Sequence, residues 1–229
     1  MEDIIKIAIY IHAFFGGIGL ITGIASIIVK KGSKNHKRMG KLFSIGMFTS
    51  SLISVPISWM PNHENLFLFV IGVFTMYLVL SGNRALTFKN KVQANWIDKS
   101  ISGIMLIFSI FMLVFGIYLI FKSNTTSVLF LFFGAFGLRL TCIDFKFFKN
   151  PQNSKNAWLI AHLIKMNGAL IASITAFVIA GIGISNLIAW LTPSLLGTIY
   201  IVYWKRKTKV KILNKQTANR KRFKTIDNV

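Results

Sequence analysis

Residues 96–121 read W-I-D-K-S-I-S-G-I-M-L-I-F-S-I-F-M-L-V-F-G-I-Y-L-I-F, with no charged side chain from Ser100 to Phe121. A helix crossing a ~30 Å hydrocarbon core takes about 20 apolar residues, so Trp96–Phe121 reads as a membrane span. Working outward, the same criterion finds six more: Ile4–Val29, Gly40–Met60, Leu66–Leu86, Ser127–Phe145, Ala157–Gly181 and Ser185–Trp204. The expected fold is an all-α integral membrane protein, a seven-transmembrane-helix bundle over residues 1–204. Residues 205–229 form a polar, basic tail read as disordered. The first span starts Met1-Glu2-Asp3 and ends at Lys30-Lys31. It is too long, and too acidic at its start, for a cleaved signal, and is expected to be retained. Arg139 and Asp144 interrupt the inner half of the fifth span. Gly181, Gly183 and Asn186 supply a tight turn between the sixth and seventh.

Composition agrees. The 229 residues are 54% apolar and 14% charged, with a mean hydropathy of +0.61. A soluble chain is about 25% charged. Soluble enzymes, secreted disulfide scaffolds and disordered proteins are excluded, and the single Cys142 cannot form an intramolecular disulfide. The net charge is +21. All of the 27 Lys and Arg except Lys6 and Lys122 fall on one side of the expected topology. The turn Pro61-Asn62-His63-Glu64-Asn65 carries none. Basic loops face the cytoplasm, so the N-terminus is expected outside and the tail inside. The tail is expected to meet anionic lipid headgroups, at ~1 kcal/mol per basic residue near the surface. It lacks the interleaved aromatics of a single-strand nucleic-acid binder, so no nucleic-acid partner is expected.

Lipid tails give helices no hydrophobic drive to associate, so small and polar residues mark packed faces. His12, Gly16, Gly19 and Gly23 form one stripe on the first span, and Ser44, Ser51, Ser54 and Ser58 one on the second, where Pro56 is expected to bend the helix. His162, Lys165, Ala169, Ala172 and Ala176 run down the sixth. These faces are expected to form the interior of the bundle.

Charges inside a bilayer are costly, at ~2.5–3.5 kcal/mol each on insertion scales. Here Arg84, Asp98, Arg139, Asp144, His162, Lys165 and His36 all fall at or near the cytoplasmic boundary. Three readings compete. The first pairs Arg84 with Asp98 and Arg139 with Asp144 as pins on helix ends. The second makes the cluster a site for a small polar or anionic solute, with Arg84, Asp144, His162, Lys165, His36 and His12 as ligand-binding candidates. The third gives His36 and His162, with Asp98 or Asp144, to a haem iron or a metal, with His12 and His63 a more distant pair. No compact metal motif such as H-E-x-x-H is present, and no metal site is assigned. The seventh span has no lysine for a retinal Schiff base, and the His spacings do not match membrane zinc hydrolases of the ceramidase type.

Several motifs occur together in order. They are His12-x3-Gly16, Lys31-Gly32-x3-His36-x3-Gly40-Lys41-x-Phe43, Tyr77-Leu78-Val79-Leu80-Ser81-Gly82-Asn83-Arg84-x-Leu86, Phe133-Gly134 with Asp144, Trp158-x3-His162-x3-Met166-x-Gly168-Ala169, and Trp190-Leu191-x-Pro193-x3-Gly197. Over nearly the whole chain to Trp204 they resemble a family of uncharacterised bacterial multi-pass inner-membrane proteins of the Bacteroidetes type, a domain of unknown function. The resemblance implies a bacterial inner-membrane location and a helical bundle. It also implies recurrent polar positions at His12, His36, Arg84, Asp144 and His162. Lys165 stands where such relatives carry Arg, keeping the charge without the planar fork. A solute-binding or transport protein leads the functional readings. A haem- or metal-binding redox protein and a non-catalytic partner of another membrane protein are the alternatives.

Overall fold

The computed structural model describes residues 2–151, 156–184, 186, 188, 189 and 191–207. Six helices account for most of them: α1 (Glu2–Ile28), α2 (Lys34–Ile57), α3 (Leu66–Ala85), α4 (Trp96–Phe121), α5 (Ser127–Lys149) and α6 (Ala157–Ala176). All six are long and apolar enough to cross a membrane. Of the expected seventh span, residues 185, 187 and 190 lie outside the described ones, whereas 191–207 are helical. That helix passes the expected boundary at 204/205. The rest of the tail, 208–229, lies outside the described residues.

Local chemistry sets the helix ends. Ser33 caps α2 by accepting from the His36 backbone N–H, after Gly32 takes φ 81°. Asn65 caps α3 by accepting from the Leu68 N–H at 3.0 Å. Asn95 and Asp98 form a reciprocal capping box at the start of α4. Pro56 lies in the last turn of α2, one residue before it stops. Beyond α6 a π turn, Phe177–Gly181, leads to Gly183 at φ 82°. Asn186 Oδ1 then accepts from the Ala189 N–H at 2.7 Å.

α1 packs on α2 and α6, α2 on α3, and α3 on α6, so these four helices close a ring. α4 lies against α3 on its other side and carries α5. α3 is the central element: 61% of its most apolar window is buried, against 11% for α1. The glycine stripe of α1 faces protein, as expected. A Cβ at Gly19 would meet Met47 Sδ at 2.7 Å, and one at Gly23 would meet Leu170 and Phe43 at 2.7 and 2.8 Å. From the other side, a Cβ at Gly46 would meet the Phe15 carbonyl at 2.8 Å. Ser44, Ser51 and Ser58 on α2 and Lys165, Ala169 and Ala172 on α6 are buried in the same interior. The outer surface is apolar, with Ile4, Tyr10, Phe14, Ile107, Val114 and Phe121 more than half exposed. Such a continuous apolar exterior suits lipid and not water.

Candidate functional site: two carboxylate clusters and three locked histidines

The ends of α1, α3 and α5 and the starts of α2, α4 and α6 lie at one end of the bundle, the basic end. Two carboxylates organise it. Asp98 stands in the first turn of α4, where its Oδ2 accepts from the Asn95 N–H at 3.0 Å and Asn95 Oδ1 accepts from the Asp98 N–H at 3.1 Å. Arg84, in the last turn of α3, donates Nε to Asp98 Oδ1 and Nη2 to Asn95 Oδ1 at 2.9 Å. Lys91 donates to Asp98 Oδ2 and lies 5.0 Å from the Phe88 ring centre. The Arg84–Asp98 pair is the one expected from sequence; Lys91 and Asn95 complete it. The carboxylate is buried, but both cations keep about a quarter of their side-chain surface in contact with the exterior (26% and 27%).

Asp144 lies deeper. Its Oδ2 accepts from Tyr77 Oη at 2.7 Å and from Ser102 Oγ at 2.8 Å, and its Oδ1 meets Lys165 Nζ at 2.5 Å. The Lys165 ammonium also sits 5.6 Å from the Tyr77 ring centre. Four helices contribute one group each: α3, α4, α5 and α6. Asp144 and Lys165 are 2% and 5% exposed, so the pair is almost wholly shielded from the exterior. The expected Arg139–Asp144 pair does not form. Five residues apart on one helix, the two side chains point about 140° apart; Arg139 faces outward while Asp144 faces the core.

Between the clusters lies a cavity of about 10 Å³, lined on its polar side by Ser81, Arg84, Asp98 and Lys165 and closed by Phe88 and Phe147 among others. That volume admits one water molecule. Every buried side-chain nitrogen or oxygen among the described residues already has a hydrogen-bond partner.

The histidines follow one rule. His12 Nδ1 lies 2.9 Å from the Ser50 carbonyl and 3.0 Å from Ser50 Oγ. His36 Nδ1 lies 3.0 Å from the Ser26 carbonyl, and His162 Nδ1 2.8 Å from the Gly82 carbonyl. A carbonyl only accepts, so each Nδ1 carries the proton and, in the neutral ring, Nε2 keeps its lone pair. His36 and His162 stand at the basic end. His12 lies far along α1 against α2, so it does not join the Arg84, Asp144 and Lys165 groups. His63 is exposed in the α2–α3 connection. Among the described residues no three His, Cys, Asp or Glu gather into a metal-binding group. Cys142 is exposed on the outer face of α5.

Lys31 ties the first connection to the last helix. It donates to the Ser26 and Ile27 carbonyls at 3.0 and 2.8 Å and lies 5.6 Å from the Trp204 ring centre. Partial burial pushes its ammonium below the usual lysine range.

Comparison with protein families, with characterised proteins and with solved structures gives no match. Four members of the two clusters were not among the expected site residues. Lys91 and Asn95 were findable, since Asn95-x-x-Asp98 is a capping-box spacing. Tyr77 and Ser102 reach Asp144 across 67 and 42 residues of sequence, and nothing local marks them.

Proposed function

We propose that the chain is a seven-span protein of the bacterial inner membrane, with its N-terminus outside and its basic tail in the cytoplasm against anionic headgroups. We further propose that it binds a small polar or anionic solute at its cytoplasmic end and passes it along the interior of the bundle. The supporting observation is the small cavity between the Arg84–Asp98 and Asp144–Lys165 pairs, which Ser81, Arg84, Asp98 and Lys165 help to line. A buried ion pair is a weak source of stability compared with apolar residues of the same size. Keeping one beside a cavity suits a site that exchanges partners. Arg84, the more accessible cation, is the first contact for an incoming anion. Lys165, paired with Asp144, is the deeper one. The cavity holds only a water, so the side chains around it must move for a solute to enter.

The test is thermal stability of the detergent-purified full chain with inorganic phosphate, sulfate and small mono- and dicarboxylates. At least one is expected to raise the wild-type melting temperature and to lose that effect in Arg84→Ala. No shift with any of them, or a shift that Arg84→Ala leaves intact, overturns the reading.

A further inference from the structure

His36 and His162 share no residue with the cavity just described, and neither is used by the two ion-pair clusters. They nevertheless come to one place. Above Gly23 of α1, Phe43 of α2 and Leu170 of α6 converge on the same point, 2.8 and 2.7 Å from where a Cβ would stand. His36 is seven residues from Phe43 toward the basic end, and His162 eight residues from Leu170 in the same direction. At 1.5 Å per residue both rings sit roughly 10–12 Å beyond that contact, at one depth. Seven residues are two helical turns, so His36 stands over Phe43 and His162 over Ala169, both core positions. The rings rise from α2 and α6, which face one another across the ring of α1, α2, α3 and α6.

Each ring is held through Nδ1 by a carbonyl of a different helix, Ser26 on α1 and Gly82 on α3. This is the outer-shell arrangement of metal-ligating histidines, where a carbonyl on one nitrogen fixes the tautomer and aims the other. Neither Nε2 has a hydrogen-bond partner among the described residues, and neither is a buried unsatisfied atom, so both are open to an incoming group. Two neutral imidazoles suit iron, copper or zinc. The surroundings narrow the choice. From Lys30 to Lys41 the chain has six Lys and Arg and no acid, and Asp98 and Asp144 are engaged elsewhere. A bare divalent cation would meet uncompensated positive charge. A metal that brings its own anionic groups, as haem iron does with its macrocycle and propionates, would meet a complementary field.

We propose that His36 and His162 form a two-imidazole transition-metal site at the basic end, ligating the metal through their Nε2 atoms, with haem iron favoured over a free ion. The site goes beyond solute binding and stands or falls separately from it. The ring of four helices supplies the frame, and the Ser26 and Gly82 carbonyls hold the ligands.

The full chain, purified in detergent, is titrated with haemin and separately with copper(II) and zinc(II), following the absorption spectrum and bound metal per chain. One equivalent is expected to bind, weakened about 10-fold or more by His36→Ala and by His162→Ala and unaffected by His63→Ala. A low-spin bis-imidazole spectrum identifies haem; one bound copper or zinc without a Soret band identifies a free ion. If the alanine variants do not fold, His162→Cys replaces the test. A spectrum shifted to thiolate ligation supports the site, and an unchanged one overturns it. No stoichiometric binding to the wild type, or binding that survives both substitutions, also overturns it. The phosphate and carboxylate melting shifts are read on the same preparation, so failure of either idea is visible without the other.

Discussion

Asp98 and Asp144 sit a few turns apart at the same end of the bundle, and each is satisfied in full, yet they are built in opposite ways. Asp98 takes its partners from nearby chain: Asn95 three residues away, Lys91 seven and Arg84 fourteen. Its two cations remain partly exposed and can rehydrate if the carboxylate is lost. Asp144 takes Lys165 from α6, Ser102 from α4 and Tyr77 from α3, and its cation has nowhere else to go. A charge pair at a rim is a helix-end device, whereas the same pair in the interior is an obligation that three other helices must meet.

The sharpest way to break this comparison is to remove one charge from each pair. Asp144→Asn strands the buried Lys165 ammonium and should cost about 3–5 kcal/mol, read as a large fall in melting temperature and in folded yield. Lys165→Met should do the same from the other side. The pair Asp144→Leu with Lys165→Met should recover most of the loss, since an apolar replacement of both partners leaves no orphan. If the double variant is as unstable as the singles, desolvated charge is not the cause.

Tyr77→Phe removes one of three donors to Asp144 and should cost about 1.5 kcal/mol, the range for a hydrogen bond to a charged group. A loss as large as that of Asp144→Asn would make Tyr77, not Lys165, the chief support. Asp98→Asn keeps the capping geometry and frees two cations that already touch the exterior, so about 1 kcal/mol is expected. Equal losses at Asp98 and Asp144 would erase the distinction between rim and interior. Arg139→Ala should fall within about 0.5 kcal/mol of the wild type because the side chain points outward; a loss near that of Asp144→Asn would restore the Arg139–Asp144 pairing in solution.

Six of the expected spans were legible because apolar run length is a local property and a bilayer demands about 20 such residues per crossing. The packed faces were legible for the same reason: Gly16, Gly19 and Gly23 recur at helical spacing, and only small residues allow so close an approach. The Arg84–Asp98 pair was legible because one short connection brings α3 back beside α4. Arg139–Asp144 was misread because closeness in sequence was taken for closeness in space, while the helical phase sends them apart. What the sequence determined by itself was therefore an all-α chain with helices long and apolar enough to cross a membrane and most of its Lys and Arg outside those apolar runs. Tertiary structure alone decided which charge meets which, and how the histidines are held. Tyr77, Ser102 and Lys165 converge on Asp144, and Ser26 and Gly82 on His36 and His162, only once helices distant in the chain have packed. Side-chain spacing along one helix carries no record of its neighbours' rotation and depth.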